Sequence, residues 1–145
     1  MNANLNFSVF ILINGLFMNS SCEHKEAESS VSGSMVLPVH ETKIENIQAM
    51  EAAKMLEKNP YMIVLDIRTP EEFNSGHIPA SINIDYKAEN FELEIKKLDR
   101  SKPYLMHCRS GRRSTAALNT FRKLRFDHII HIDDGILGWN KELTK

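Results

Sequence analysis

From about residue 40 onward, short continuous apolar runs alternate with stretches of helical periodicity, and that alternation restricts the chain to few folds. The runs are "YMIVLDI" (61–67), "SINI" (81–84), "YLMHC" (104–108) and "HIIHI" (128–132). The first is continuous and rich in β-formers, as in a parallel strand buried on both faces, and the other three read as shorter strands. Of the helical stretches, "NIQAMEAAKMLEKNP" places Ile47, Met50, Ala53 and Leu56 near one face and stops at Asn59-Pro60. "TPEEF" offers Thr69 as an N-cap, Pro70 at the first helical position and acids in the first turn. "AENFELEIKKL" puts Phe91, Ile95 and Leu98 on one side, and "STAALNTFRKL" buries Ala117, Leu118, Phe121 and Leu124. "GILGWN" opens a last helical turn. This order predicts an α/β fold, an open parallel sheet flanked by helices, whose ligands bind at the carboxyl ends of the strands.

With 145 residues, 42% apolar and 26% charged, the chain is long enough to bury one core. Lys and Arg number 18 against 19 Asp and Glu, so no global field recruits nucleic acid or an acidic membrane. Any useful positive field must be local. Two cysteines are too few for a disulfide framework, and no Cys/His spacing suggests a metal site. No cofactor is expected. Among the histidines, His128 and His131 read as surface or strand-end residues.

The N-terminal stretch "NFSVFILINGLFMNSSC" carries an apolar run from Phe7 to Met18, interrupted by Asn14 and Gly15. A membrane-spanning helix needs about 20 apolar residues, so this run is too short. It suits the apolar part of an export signal of the bacterial lipoprotein type, cut just before a cysteine that receives lipid. Two details depart from that pattern: no Lys or Arg precedes the run, and Asn19 stands where such signals carry Leu. "CEHKEAESSVSGS" (22–34) is polar, acidic and Ser-rich, with too little apolar surface to offset its ordering entropy. The expectation is a signal over 1–21, lipid attachment at Cys22, a tether over 22–41 and a folded domain over 42–145. That places the domain on the periplasmic side of a bacterial envelope, touching membrane only through a lipid anchor, or else soluble in the periplasm. Cys108 would then be the sole thiol in an oxidising compartment.

"HCRSGRRS" (107–114) is where chemistry concentrates. Cys108 lies at the end of a strand and just ahead of a helix, and Gly111 allows the intervening turn positive φ or close approach to a ligand. Such a turn points successive N–H groups inward as an anion nest backed by a helix N-terminus. A cysteine at its base has its thiolate stabilised, and Arg109, Arg112 and Arg113 can offset repulsion between that thiolate and an anionic substrate. Positive charge at a helix N-terminus opposes the helix dipole. Three arginines there, with no acid in the loop to relieve them, therefore point to a use beyond folding.

Three separated stretches, in order, resemble the rhodanese family of sulfurtransferases over roughly residues 42–140. "CRSGRRS" is similar to its active-site loop, "VLDIRTPEEFNSGHIPASINI" (64–84) to its D-x-R…E-[FY]…G-H-I-P-G-A-x-N stretch, and "DGILGW" (134–139) to its C-terminal G-G-x-x-x-W. Ala80, Ser81 and Asp134 depart from the family's usual Gly, Ala and Gly, all outside the loop. The resemblance implies that Cys108 takes the outer sulfur of a donor such as thiosulfate as a persulfide and passes it to cyanide or a thiol. It further implies that backbone N–H groups of residues 109–113, including those of Ser110 and Gly111, hold that sulfur. Arg109 and Arg113 would bind the anionic donor, Arg109 fitting thiosulfate rather than mercaptopyruvate.

Asp66 and Arg68 read as structural support at the end of a buried strand, paired with each other or with loop backbone. His77 reads as a turn residue and Trp139 as a core or rim aromatic. His107 should face away from Cys108, because consecutive strand side chains point to opposite faces. Phosphatases and arsenate reductases also start with "HC" but use Cys-x5-Arg. Here the sixth residue after Cys108 is Ser114 and the loop is one residue shorter, which suits a sulfur atom better than a phosphate. A persulfide carrier or thiol-redox partner of a protein acceptor, such as a thioredoxin-like protein, would use the same cysteine.

Overall fold

All four apolar runs form strands, and a fifth strand joins them. The computed structural model describes residues 40–145; the signal expected over 1–21, Cys22 and nearly all of the expected tether lie outside the described residues. The strands are β1 (Lys43–Ile47), β2 (Ile63–Asp66), β3 (Ile82–Asn83), β4 (Pro103–His107) and β5 (His128–Ile132). They pair in parallel in the order β1-β5-β4-β2-β3. Helices α1 (Ala49–Lys58), α2 (Pro70–Ser75), α3 (Phe91–Lys96) and α4 (Arg112–Lys123) flank the sheet, with a 3-10 turn at Gly135–Gly138. The expected open parallel α/β sheet is present.

β1 escaped the sequence reading. In "KIENI" the polar residues outnumber the apolar ones, which suits an exposed sheet edge, where charged side chains discourage further pairing. Ile47 therefore belongs to β1 and not to the α1 face, and Met50 is 54% exposed instead of packed inward. Helix α3 starts at Phe91, three residues later than its periodicity suggested, because Asp85 accepts the Lys87 N–H and turns hold residues 85–91. Helix α4 starts two residues early, at Arg112, which brings two arginines into its first turn.

Alternation along the strands divides the core. Leu65, Tyr104, Met106 and Ile129 pack with Phe91, Ile95, Leu118 and Phe121 on one face. Val64, Leu105, Ile130 and Ile132 pack with Ala49, Ala52 and Ile78 on the other, where Trp139 is half-buried as a rim aromatic. After β2 the chain steps outward to β3, then crosses back to β4 on the opposite side of β2. This reversal opens a crevice at the carboxyl ends of β2 and β4, the place where such sheets bind ligands. Cys108 follows β4 directly.

Candidate active site

The loop from Cys108 to Arg113 is held by backbone rather than by side chains. The Ile136 N–H donates to the Cys108 carbonyl at 2.9 Å and the Leu137 N–H to the Arg109 carbonyl at 3.1 Å. Gly111 has φ +82°, and a Cβ there would lie 1.6 Å from the Asp133 carbonyl oxygen. Gly135 has φ +65°, and a Cβ there would lie 2.5 Å from the Arg109 carbonyl oxygen. Both glycines are therefore required, since any side chain would part the loop from the turn after β5. Asp134, where the family usually has Gly, sits in right-handed backbone and needs no glycine. Its Oδ1 accepts the Ala49 N–H at 2.8 Å, so it caps α1 from a distance.

Cys108 is 1% exposed at the floor of this loop. Burial pushes its thiol up, but the Ser114 hydroxyl and the N–H groups of Ser114, Ser110 and Arg113 outweigh that and hold it below its ordinary value. The dipole of α4 acts in the same direction. Arg112, Arg113 and Ser114 occupy the first turn of that helix.

The arginines divide into two kinds. Contrary to the expectation that no acid relieves them, Arg113 forms a two-pronged pair with Glu72, Nη1 to Oε2 at 2.7 Å and Nη2 to Oε1 at 2.8 Å. Glu72 also closes a capping box, its Oε2 accepting the Thr69 N–H while Thr69 Oγ1 accepts the Glu72 N–H. These donors hold its carboxyl at about 2, with the Arg113 guanidinium the largest cause. Arg109 and Arg112 are exposed and have no ion pair among the described residues. They line a cleft of about 580 Å³ with Ser110, Thr69, Tyr86 and Lys87.

Behind the loop, Arg68 donates to both oxygens of Asp66, Nη2 to Oδ2 at 2.6 Å, and also to the Gly76 carbonyl. Both side chains are buried; they bond to each other and to backbone, and His107 Nε2 lies 3.7 Å from Asp66 Oδ2. His107 pairs in register with Asp66, on the sheet face away from Cys108. Burial drives its imidazole toward the neutral form. His77 stacks on Phe73 and its Nδ1 lies 3.1 Å from the Phe73 carbonyl. His131 corrects the sequence reading, being 2% exposed, with Nε2 2.9 Å from Ser114 Oγ and Nδ1 2.9 Å from Asn46 Oδ1.

Glu72, His131, Asn46 and the cleft residues Tyr86 and Lys87 were missed as site residues. For Glu72 a signal existed, the Thr-x-x-Glu capping box, but not its reach to Arg113, 41 positions away.

The family model described as "Rhodanese-like domain" matches residues 48–142. "Probable adenylyltransferase/sulfurtransferase MoeZ" of Mycobacterium tuberculosis is 27% identical over 70% of this chain, which spans only 26% of that protein. "Uncharacterized protein YibN" of Escherichia coli is 31% identical, the match covering 70% of this chain and 71% of that one. The crystal structure of a rhodanese-like domain protein from Staphylococcus aureus superposes with a TM-score of 0.61 at 22% identity, covering 69% of this chain and 96% of that one.

Proposed function

From the premise that this chain belongs to the rhodanese-like domain family, a family of sulfur transfer, we propose that it moves sulfane sulfur from thiosulfate through a Cys108 persulfide. The Cys108 thiolate attacks the outer sulfur of thiosulfate and forms a new S–S bond. The original S–S bond breaks and sulfite leaves with its electron pair. Cyanide, or the thiolate of a small or protein acceptor, then attacks the outer persulfide sulfur and regenerates the Cys108 thiolate. Neither transfer consumes a proton.

One observation carries the reading: a buried, acid-shifted cysteine at the floor of an N–H-lined loop that opens between unpaired cations. Ser110, Arg113 and Ser114 direct their N–H groups at the Cys108 sulfur, and Gly111 keeps the loop closed on itself. Arg109 and Arg112 are the guanidinium groups free to receive the sulfonate end of the donor. Arg113 also belongs to the binding loop; its pairing with Glu72 makes it a fixed charge beside the sulfur more than a clamp on the donor. Asp66 and Arg68 act as structural support at the end of β2, where their pair also holds the Gly76 carbonyl.

Incubation with thiosulfate should add one sulfur to Cys108, read by intact mass, and turnover with cyanide should disappear in Cys108→Ser. An adduct elsewhere, or undiminished turnover in that variant, would overturn the reading. Location belongs to the same proposal, with Cys22 as lipid anchor at the periplasmic side of the envelope. In a fractionation of cells expressing the full chain, Cys22→Ala should move the protein from membrane to soluble fraction. Wild-type protein that is soluble in the cytoplasm with residues 1–21 intact would refute the anchor.

A further inference from the structure

The hydroxyl of Ser114 has more partners than hydrogens. Its Oγ lies 2.9 Å from the Gly111 carbonyl, 2.9 Å from His131 Nε2 and 3.5 Å from Cys108 Sγ. A hydroxyl offers one hydrogen and two lone pairs. The Gly111 carbonyl can only accept, and Sγ, once ionised, can only accept. His131 Nε2 is the one neighbour able either to take the hydrogen or to give one. If Nε2 is bare it competes with the sulfur for the serine hydrogen. If Nε2 carries the proton it donates to Oγ, and the serine hydrogen is shared only between the Gly111 carbonyl and the sulfur, whose charge draws it once the thiol ionises.

Which state holds is set one step further out. His131 Nδ1 lies 2.9 Å from Asn46 Oδ1 across the β1–β5 register, the arrangement of the Nδ1–H tautomer, and both side chains stand on the face that carries α4. An amide presents its carbonyl or, after a half-turn, its NH2. The carbonyl selects the Nδ1–H tautomer, and the NH2 selects Nε2–H. Burial drives the imidazole toward its neutral form, so one ring proton is shared between the two sites. We infer that His131 is a positioning residue for Cys108: when the thiolate forms, the Asn46 amide turns its NH2 to Nδ1, and His131 as the Nε2–H tautomer directs the Ser114 hydroxyl hydrogen to the sulfur. The exchange between states moves the ring proton from Nδ1 to Nε2 as the Asn46 amide turns, with no net gain or loss of protons.

Charged groups near this chain are few. The Arg113 guanidinium faces the sulfur from α4, and the Asp133 carboxylate acts on His131 from the turn after β5. From β4 the register neighbour of His131 is Met106, which does not titrate, and β1 contributes only Asn46. The inference rests on the proposed function only for the use made of the thiolate. Its tests read ionisation, so failed sulfur transfer with a normal thiolate profile would overturn the function and leave the inference standing.

Thiolate absorbance and iodoacetamide alkylation across pH measure the Cys108 ionisation. His131→Leu should move that midpoint upward by about one unit, roughly tenfold less thiolate at a given pH below it, as for loss of one hydrogen bond to an ion. His131→Gln, whose amide can still donate near the Nε2 position, should restore most of the shift. Ser114→Ala should reproduce it, and adding His131→Leu to Ser114→Ala should add nothing further. An unmoved midpoint in His131→Leu, an equal shift in His131→Gln, or additive shifts in the double variant would each overturn the inference. Nitrogen-15 imidazole spectra of the unaltered protein provide a reading that needs no variant to fold. Above the thiol midpoint His131 should be protonated at Nε2, and a dominant Nδ1–H tautomer there would overturn the inference.

Discussion

Two residues, one in the active-site loop and one in the turn before β3, meet the same backbone demand with different side chains. Gly111 and Ala80 both have positive φ, +82° and +60°. At Gly111 the Asp133 carbonyl leaves no space for a Cβ, so Gly111→Ala should unfold the loop or the domain. Ala80 tolerates its conformation at a cost, since left-handed backbone disfavours an L side chain by about 1–2 kcal/mol. It stands where related sequences commonly have Gly, in the turn whose Ser81 hydroxyl donates to the Ile78 carbonyl. Ala80→Gly should therefore stabilise the protein by about 0.5–1 kcal/mol, the strain relieved less the extra freedom of glycine in the unfolded chain. A urea titration would register this as a higher midpoint at unchanged slope. A lower midpoint would mean that the turn carries no strain at Ala80.

Between elements, the Glu72–Arg113 pair ties α2 to the start of α4. The Glu72 carboxyl sits at about 2 in the folded state against an ordinary value of 4.5. A depressed carboxyl stabilises the fold above the ordinary value, and that stability is lost as pH falls from about 4.5 toward 2. The shift corresponds to a contribution on the order of 1–3 kcal/mol, toward the lower end because both side chains keep some solvent. Glu72→Gln should be less stable than wild type at neutral pH, and the gap should close across that acid window. A constant gap down to pH 2 would show that the pair does not titrate with folding. The loop itself has no slack, being pinned at the Cys108, Arg109 and Asp133 carbonyls. One glycine inserted between Ser110 and Gly111 creates Cys-x5-Arg and should draw N–H groups away from the sulfur. Loss of one preorganised donor costs on the order of 2.7–4 kcal/mol, so sulfur transfer should fall about a hundredfold or more. Undiminished transfer would remove loop length as a selector of substrate.

The same elements mark how far the sequence alone could be read. β2, β4 and β5 were legible because strands buried on both faces must be continuously apolar. β1 was not, because an edge strand has no such requirement. Cys108 and its arginines were legible because the loop is local, six residues of consecutive sequence. Glu72 and His131 were not, although each touches that loop, because their partners are 41 and 17 positions away and are brought together only by the sheet. His131 was misread for a further reason: a histidine in a strand gives no sign of whether a serine from a neighbouring helix will satisfy it.

On the scale of the whole molecule, charge is nearly balanced, with a formal net of -1, so the molecule as a whole does not steer an anionic donor. Attraction has to come from Arg109, Arg112 and Lys87 around the cleft, where Glu72 has already neutralised Arg113. These charges are exposed, and a Debye length of about 10 Å at 0.1 M salt shrinks to about 3 Å at 1 M. Chloride should therefore lower kcat/KM for thiosulfate several-fold between those limits, roughly three- to tenfold. Arg109→Ala should by itself cost roughly ten- to hundredfold at low salt, the range for losing a charge-assisted hydrogen bond of about 1.5–3 kcal/mol. The Arg109→Ala, Arg112→Ala double variant should then be nearly indifferent to added salt, because the charges that salt screens are gone while the N–H-lined floor remains. Its thiolate midpoint should stay close to wild type, since neither guanidinium touches the sulfur. A double variant that keeps the wild-type salt slope would place the attraction elsewhere on the surface, and the cleft would then be an entrance without a charge filter.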